Sequence, residues 1–101
     1  METGSYLLVG TEDAMTETFG STAHGAGQTM SRTKARKIFR GDKLQRELME
    51  RGIYVRSVSY AGLAEEAGPS YKDIDQVIEA VDLAGISKKV VKFTPIGNIK
   101  G

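Results

Sequence analysis

The chain has one imidazole, His24, and it stands in the stretch "STAHGAGQTMSR", Ser21 to Arg32. Gly25, Ala26 and Gly27 follow it, and Arg32 closes the stretch. Residues this small leave the backbone N–H groups open to close approach by an anion. A helix opening between Gly27 and Ser31 would add its N-terminal dipole to that attraction. A neutral imidazole beside a bound phosphate can act as a nucleophile toward phosphorus or as a general base. Histidine, then a small-residue cradle, then arginine is an order suited to phosphoryl or nucleotidyl transfer. A second reading stands beside it: a lone histidine before glycines is commonly a loop residue, and glycines serve ordinary turns. The stretch lacks the G-x-x-x-x-G-K-[ST] pattern, so P-loop kinase or ATPase chemistry is not indicated.

A second group of residues could also meet phosphate. Arg32, Lys34, Arg36, Lys37, Arg40, Lys43, Arg46, Arg51 and Arg56 crowd the middle of the chain, interrupted by Asp42, Glu47 and Glu50. Such a run is either a solvated helix face with i, i+4 ion pairs, Glu47 with Arg51 among them, or a surface that tracks nucleic-acid phosphates. Few aromatic residues interleave it, which argues against base stacking there. The formal net charge is only +1, so the charge distribution, not its sum, bears on any partner.

Composition bounds the remaining possibilities. The 101 residues are 40% hydrophobic, enough for one modest core. With no cysteine there is no disulfide, thiolate metal site or thiol nucleophile. One histidine and no evident carboxylate spacing give no metal site within the chain. The apolar runs are too short to span a bilayer and no signal peptide is visible, so the expected setting is cytoplasmic and away from membranes.

Alternating elements must position these groups. "SYLLVGT", Ser5 to Thr11, predicts a buried strand, and "TEDAMTETFG" a short helix capped by Thr11 and stopped by Gly20. Thr29 or Ser31 can cap a helix through Phe39. Asp42 can cap another over Lys43–Arg51, ended by Gly52, with Leu44, Leu48 and Met49 as its apolar stripe. "IYVRSVSY", Ile53 to Tyr60, alternates as a strand, and "AGLAEEAGPSY" reads as loop. Ser70 is placed as the cap of a helix from Tyr71 or Lys72 to Leu83, with Ile74, Val77, Ile78 and Val81 inward and Gly85 as its stop. "KKVVKFTPIG" is the last strand, broken by Pro95, and "NIKG" is a tail. The fold class is α+β.

The segment "GSYLLVGTEDAMTETFGSTAHGAGQTMSRTKA" resembles the C-terminal part of the RtcB family of RNA-splicing ligases, whose signature is H-G-A-G-R followed by M-S-R. The ending "PIGNIKG" also resembles the family's Lys-Gly terminus, and the resemblance covers essentially all 101 residues. It implies a GTP- and manganese-dependent ligase that joins RNA 2′,3′-cyclic-phosphate or 3′-phosphate ends to 5′-hydroxyl ends, in tRNA splicing or RNA repair. It implies His24 as the residue that carries GMP in a histidine–GMP intermediate. Gly25, Ala26 and Gly27 would hold the nucleotide, Ser5 and Lys100 would contact guanine, Tyr71 would stack on the base, and Arg32 would bind RNA phosphate.

The sequence departs from the pattern at Gln28, where the signature has arginine. Glutamine keeps hydrogen-bonding capacity but loses a fixed charge and bidentate phosphate binding. The resemblance places the manganese ligands, a cysteine, an aspartate and several histidines, upstream of this segment. The expectation is therefore one domain or fragment over residues 1–101, part of a larger RtcB-like α/β-type domain. It would be inactive alone and partnered by the missing N-terminal portion and by RNA such as tRNA halves. The alternative is a stand-alone RNA-binding module without catalysis.

Overall fold

The computed structural model describes residues 1–101. In chain order the elements are strand β1 (Ser5–Gly10), helices α1 (Glu12–Glu17), α2 (Arg32–Ile38) and α3 (Gly41–Glu50), strand β2 (Tyr54–Ser57), helix α4 (Tyr60–Ala64), a 3-10 turn (Gly68–Ser70), helix α5 (Ile74–Leu83), and strands β3 (Ser87–Phe93) and β4 (Gly97–Lys100). This is the α+β class read from the sequence. The chain forms two compact units: Met1–Thr3, Gln28–Tyr71 and Pro95–Gly101 make one, and Gly4–Gly27 with Lys72–Thr94 the other.

The first unit has the larger apolar core. Leu44 and Leu48 of α3 pack with Ile53, Val55, Leu63 and Ala67, and Met1 and Phe39 close over them. Ile53 and Val55 point inward while Tyr54 and Arg56 point out, the alternation expected of a half-buried strand. Met49, read as part of the α3 stripe, is half exposed, because one helical step past Leu48 turns it off the buried face. Helix α3 begins at Gly41, earlier than expected. Asp42 lies in its first turn and pairs with Arg40 at 2.8 Å instead of capping. Gly41 is fully enclosed: a Cβ there would lie 2.0 Å from the Tyr60 carbonyl oxygen.

Two sequence expectations fail in this unit. The stretch read as loop contains α4, capped by Ser59 through the Gly62 N–H, and its Leu63 and Ala64 are buried. The apolar positions fall within one short helical turn, too few to register as periodicity. The tail is also structured. Residues Gly97–Lys100 form β4, parallel to β2 with Tyr54 opposite Gly97 and Ser57 opposite Lys100. The partner strand lies far back in sequence, so no local pattern announces the pairing. Glu2 ties the start of the chain to the same unit, accepting from the Gly68 N–H at 2.6 Å and from Arg51 at 2.7 Å.

In the second unit β1 and β3 pair antiparallel, Ser5 opposite Phe93 and Gly10 opposite Ser87, with an irregularity between Leu7 and Leu8. Helix α1 is capped by Thr11 as expected. Helix α5 packs against the sheet through Ile78, with Ile74, Val77 and Val81 half-buried beside it. Its cap is Asp73, which accepts from the Asp75 N–H at 2.8 Å. The sequence had placed Ser70 in that role. Strand β1 was expected to be buried, yet Leu7 and Val9 are half exposed, as are Val91 and Phe93 of β3.

Candidate functional site

The glycine loop belongs to the second unit. It is pinned on either side of its centre. Thr22 Oγ1 accepts from the buried Ser87 hydroxyl at 2.9 Å, and the Gly27 carbonyl accepts from the Lys72 N–H at 2.8 Å. Between the pins His24 is exposed in a stretch without regular secondary structure, with a bend at Gly25. Gly25 and Gly27 do not take the left-handed φ that would demand glycine. A Cβ on Gly25 would meet nothing within 4 Å, and one on Gly27 would only reach the Lys72 side chain at 4.0 Å. Packing and backbone conformation therefore give no reason for these glycines, and what they provide is bare backbone beside the imidazole. Ser5 opens β1, exposed, in the same unit. The helix expected to open between Gly27 and Ser31 starts at Arg32, with Ser31 as its cap. Its dipole is thus displaced from the glycine loop along the chain.

The remaining candidates fall in the first unit, where Tyr71 and Lys100 converge on Glu66. The Tyr71 hydroxyl donates to Glu66 Oε2 at 3.0 Å, and Lys100 Nζ lies 3.2 Å from Glu66 Oε1. Tyr71 precedes α5 instead of starting it. It follows the 3-10 turn, bonds the Gly68 carbonyl, and forms an isolated antiparallel bridge with Gln28. Burial first, and then the Glu66 hydrogen bond and charge, raise the Tyr71 pKa above the usual phenol value; the Gln28 side chain and the Arg32 charge oppose this. Gln28 and Arg32 of the opening motif therefore lie in the electrostatic neighbourhood of the Tyr71 hydroxyl.

Arg32 is held by the neighbouring acid. Glu65 is buried, and Arg36 Nε donates to its Oε1 at 2.5 Å. Arg32 Nε lies 3.7 Å from Glu65 Oε2 while its own side chain remains 71% exposed. A carboxylate taken out of water requires such partners. The Arg36 pairing leaves Arg32 loosely held with most of its guanidinium toward solvent.

Sequence reasoning passed over Glu65 and Glu66 because they sat in a stretch read as loop. The available signal was two acids inside an otherwise small, apolar run from Ala61 to Ala67. Ser70 was misplaced too: it is fully buried in the 3-10 turn with its hydroxyl unpaired, and Asp73 caps α5.

A family model described as tRNA-splicing ligase RtcB matches residues 1–101. The chain belongs to the RtcB family. It is 56% identical over 101 residues to the tRNA-splicing ligase RtcB of Methanopyrus kandleri and 54% identical to that of Pyrococcus horikoshii. It is 50% identical to that of Thermococcus kodakarensis. Each match takes in 100% of this chain but only 10%, 12% and 21% of those relatives. This RtcB segment has no group of three or more His, Cys, Asp or Glu arranged to hold a metal ion. No helix of the RtcB segment is long and apolar enough to cross a membrane.

Proposed function

We propose that this chain is the nucleophile-bearing and base-recognising part of a cytoplasmic, GTP- and manganese-dependent RNA ligase. The whole enzyme would join 2′,3′-cyclic-phosphate or 3′-phosphate ends to 5′-hydroxyl ends in tRNA splicing or RNA repair. The observation that carries this reading is the family match over residues 1–101.

His24 attacks the α-phosphorus of GTP with a ring nitrogen; the N–P bond forms as the bond to pyrophosphate breaks. Exposure of the imidazole between two pinned loop ends supports this role. The N–H groups of Gly25, Ala26 and Gly27 bind phosphate oxygens, which glycines not required by packing support. Tyr71 offers a ring face to the base, and Lys100 and Ser5 offer groups to its polar edge. The Lys100 ammonium suits guanine, since it donates to the O6 and N7 acceptors that guanine presents. Arg32 meets RNA phosphate with the part of its guanidinium that Glu65 leaves free. Manganese would be held by residues outside this chain and, when bound, would supply charge neutralisation.

Intact mass after incubation with GTP and manganese tests the reading. The chain alone gains no GMP. Mixed with the upstream portion of the ligase it gains one, and His24→Ala abolishes the gain. An adduct that persists with alanine at position 24 overturns the assignment. Salt-dependent RNA binding with no adduct in any mixture would instead support an RNA-binding module.

A further inference from the structure

We propose that Glu66 is a positioning residue for nucleobase recognition, orienting Tyr71 and Lys100 through the two oxygens of its single carboxylate. The proposal rests on the reading that those two residues meet guanine.

Glu66 is itself well anchored. Its N–H bonds the Leu63 carbonyl, so it continues directly from the buried end of α4. Its side chain is 22% exposed, and each oxygen serves a different partner, Oε2 the Tyr71 hydroxyl and Oε1 the Lys100 ammonium. An ionised carboxylate is acceptor-only with room for several donors, so both contacts form together. Lysine is a flexible four-carbon stem that loses much freedom on ordering. The β4–β2 pairing places the Lys100 backbone, and Glu66 places its head. One ammonium hydrogen points at Glu66 and the others stay available to a ligand. The same carboxylate holds the Tyr71 hydroxyl, which fixes the ring by its edge and leaves its face for stacking.

The ammonium selects among bases. Guanine presents acceptors where adenine presents its N6 donor, so a placed cation favours guanine and opposes adenine. Loss of Glu66 therefore lowers guanine affinity and guanine-over-adenine discrimination together. A purely structural role would weaken both nucleotides alike.

The test is titration of the 101-residue chain with GMP and with AMP, followed by NMR. The unaltered chain prefers GMP. Glu66→Ala weakens GMP binding about tenfold, as expected for a lost hydrogen-bonded charge, with little change for AMP. Glu66→Gln retains an acceptor for Tyr71 without the charge for Lys100. It gives an intermediate ratio, and it carries the test if Glu66→Ala does not fold. An unchanged GMP-to-AMP ratio in a folded Glu66 variant overturns the proposal while leaving the base site standing. Failure of the unaltered chain to prefer GMP overturns the base-site reading, and this proposal with it.

Discussion

Glu66 accepts the Tyr71 hydroxyl at 3.0 Å, and this bond joins a tyrosine just past the 3-10 turn to an acid just past α4. Burial and this acid both favour the protonated phenol, so the folded-state pKa of Tyr71 lies above the unfolded value of about 10. Below that value both states hold the proton and the stabilisation is complete. Above it the unfolded chain releases the proton first, so stability falls as pH rises through the folded pKa. Denaturant midpoints measured from pH 9 upward will decline, and Tyr71→Phe will make the decline shallower. Tyr6, whose pKa is raised chiefly by its hydrogen bond to Asp75, keeps part of the slope in that variant.

The acid limb has another source. Lys92, bonded to both Asp75 oxygens at 2.8 and 2.9 Å, and then the Tyr6 hydroxyl hold the Asp75 pKa below the usual carboxylate value. Its contribution is present above the unfolded value of about 4 and is lost as pH falls through the depressed folded one. Asp75→Asn will flatten the loss of stability below pH ~4, read by the same denaturant midpoints.

The glycine loop separates folding from function. Gly25→Ala will shift unfolding free energy by no more than about 0.5 kcal/mol, since the Cβ enters open space. In the reconstituted ligase the same change will slow formation of the GMP adduct. A variant that unfolds the chain would show that the loop is built for packing.

Packing sites behave in the opposite way. Gly41→Ala forces a Cβ to within 2.0 Å of the Tyr60 carbonyl oxygen and will cost about 3 kcal/mol through displacement of α4. Leu48→Ala empties a fully buried core position and will cost about 3 kcal/mol. Both are measured by a reduced denaturant midpoint at unchanged slope.

Gln28 provides a test by restoration. Gln28→Arg places a fixed positive charge four residues before Arg32 in the same short motif. RNA-end affinity of the reconstituted ligase will rise, and the dependence of log affinity on log salt will steepen by roughly one phosphate contact. An unchanged salt slope would show that residue 28 does not meet phosphate.

Local chemistry was readable in the sequence. Thr11 and Ser31 are helix caps, Gly20, Gly52 and Gly85 follow helices with left-handed φ, and Ile53 and Val55 alternate inward. Each depends on neighbours a few residues away, so composition and spacing sufficed to place them. The juxtaposition of an imidazole with bare backbone at residues 24–27 was legible for the same reason, because it is a property of adjacent residues. Tertiary structure alone decided that Lys100 lies in a strand, that Glu65 is buried beneath Arg36 and Arg32, and that Glu66 reaches both Tyr71 and Lys100. Those relations join residues far apart in the chain. A parallel strand pair and a shared carboxylate leave no periodic trace, since their stabilising contacts exist only once the segments meet.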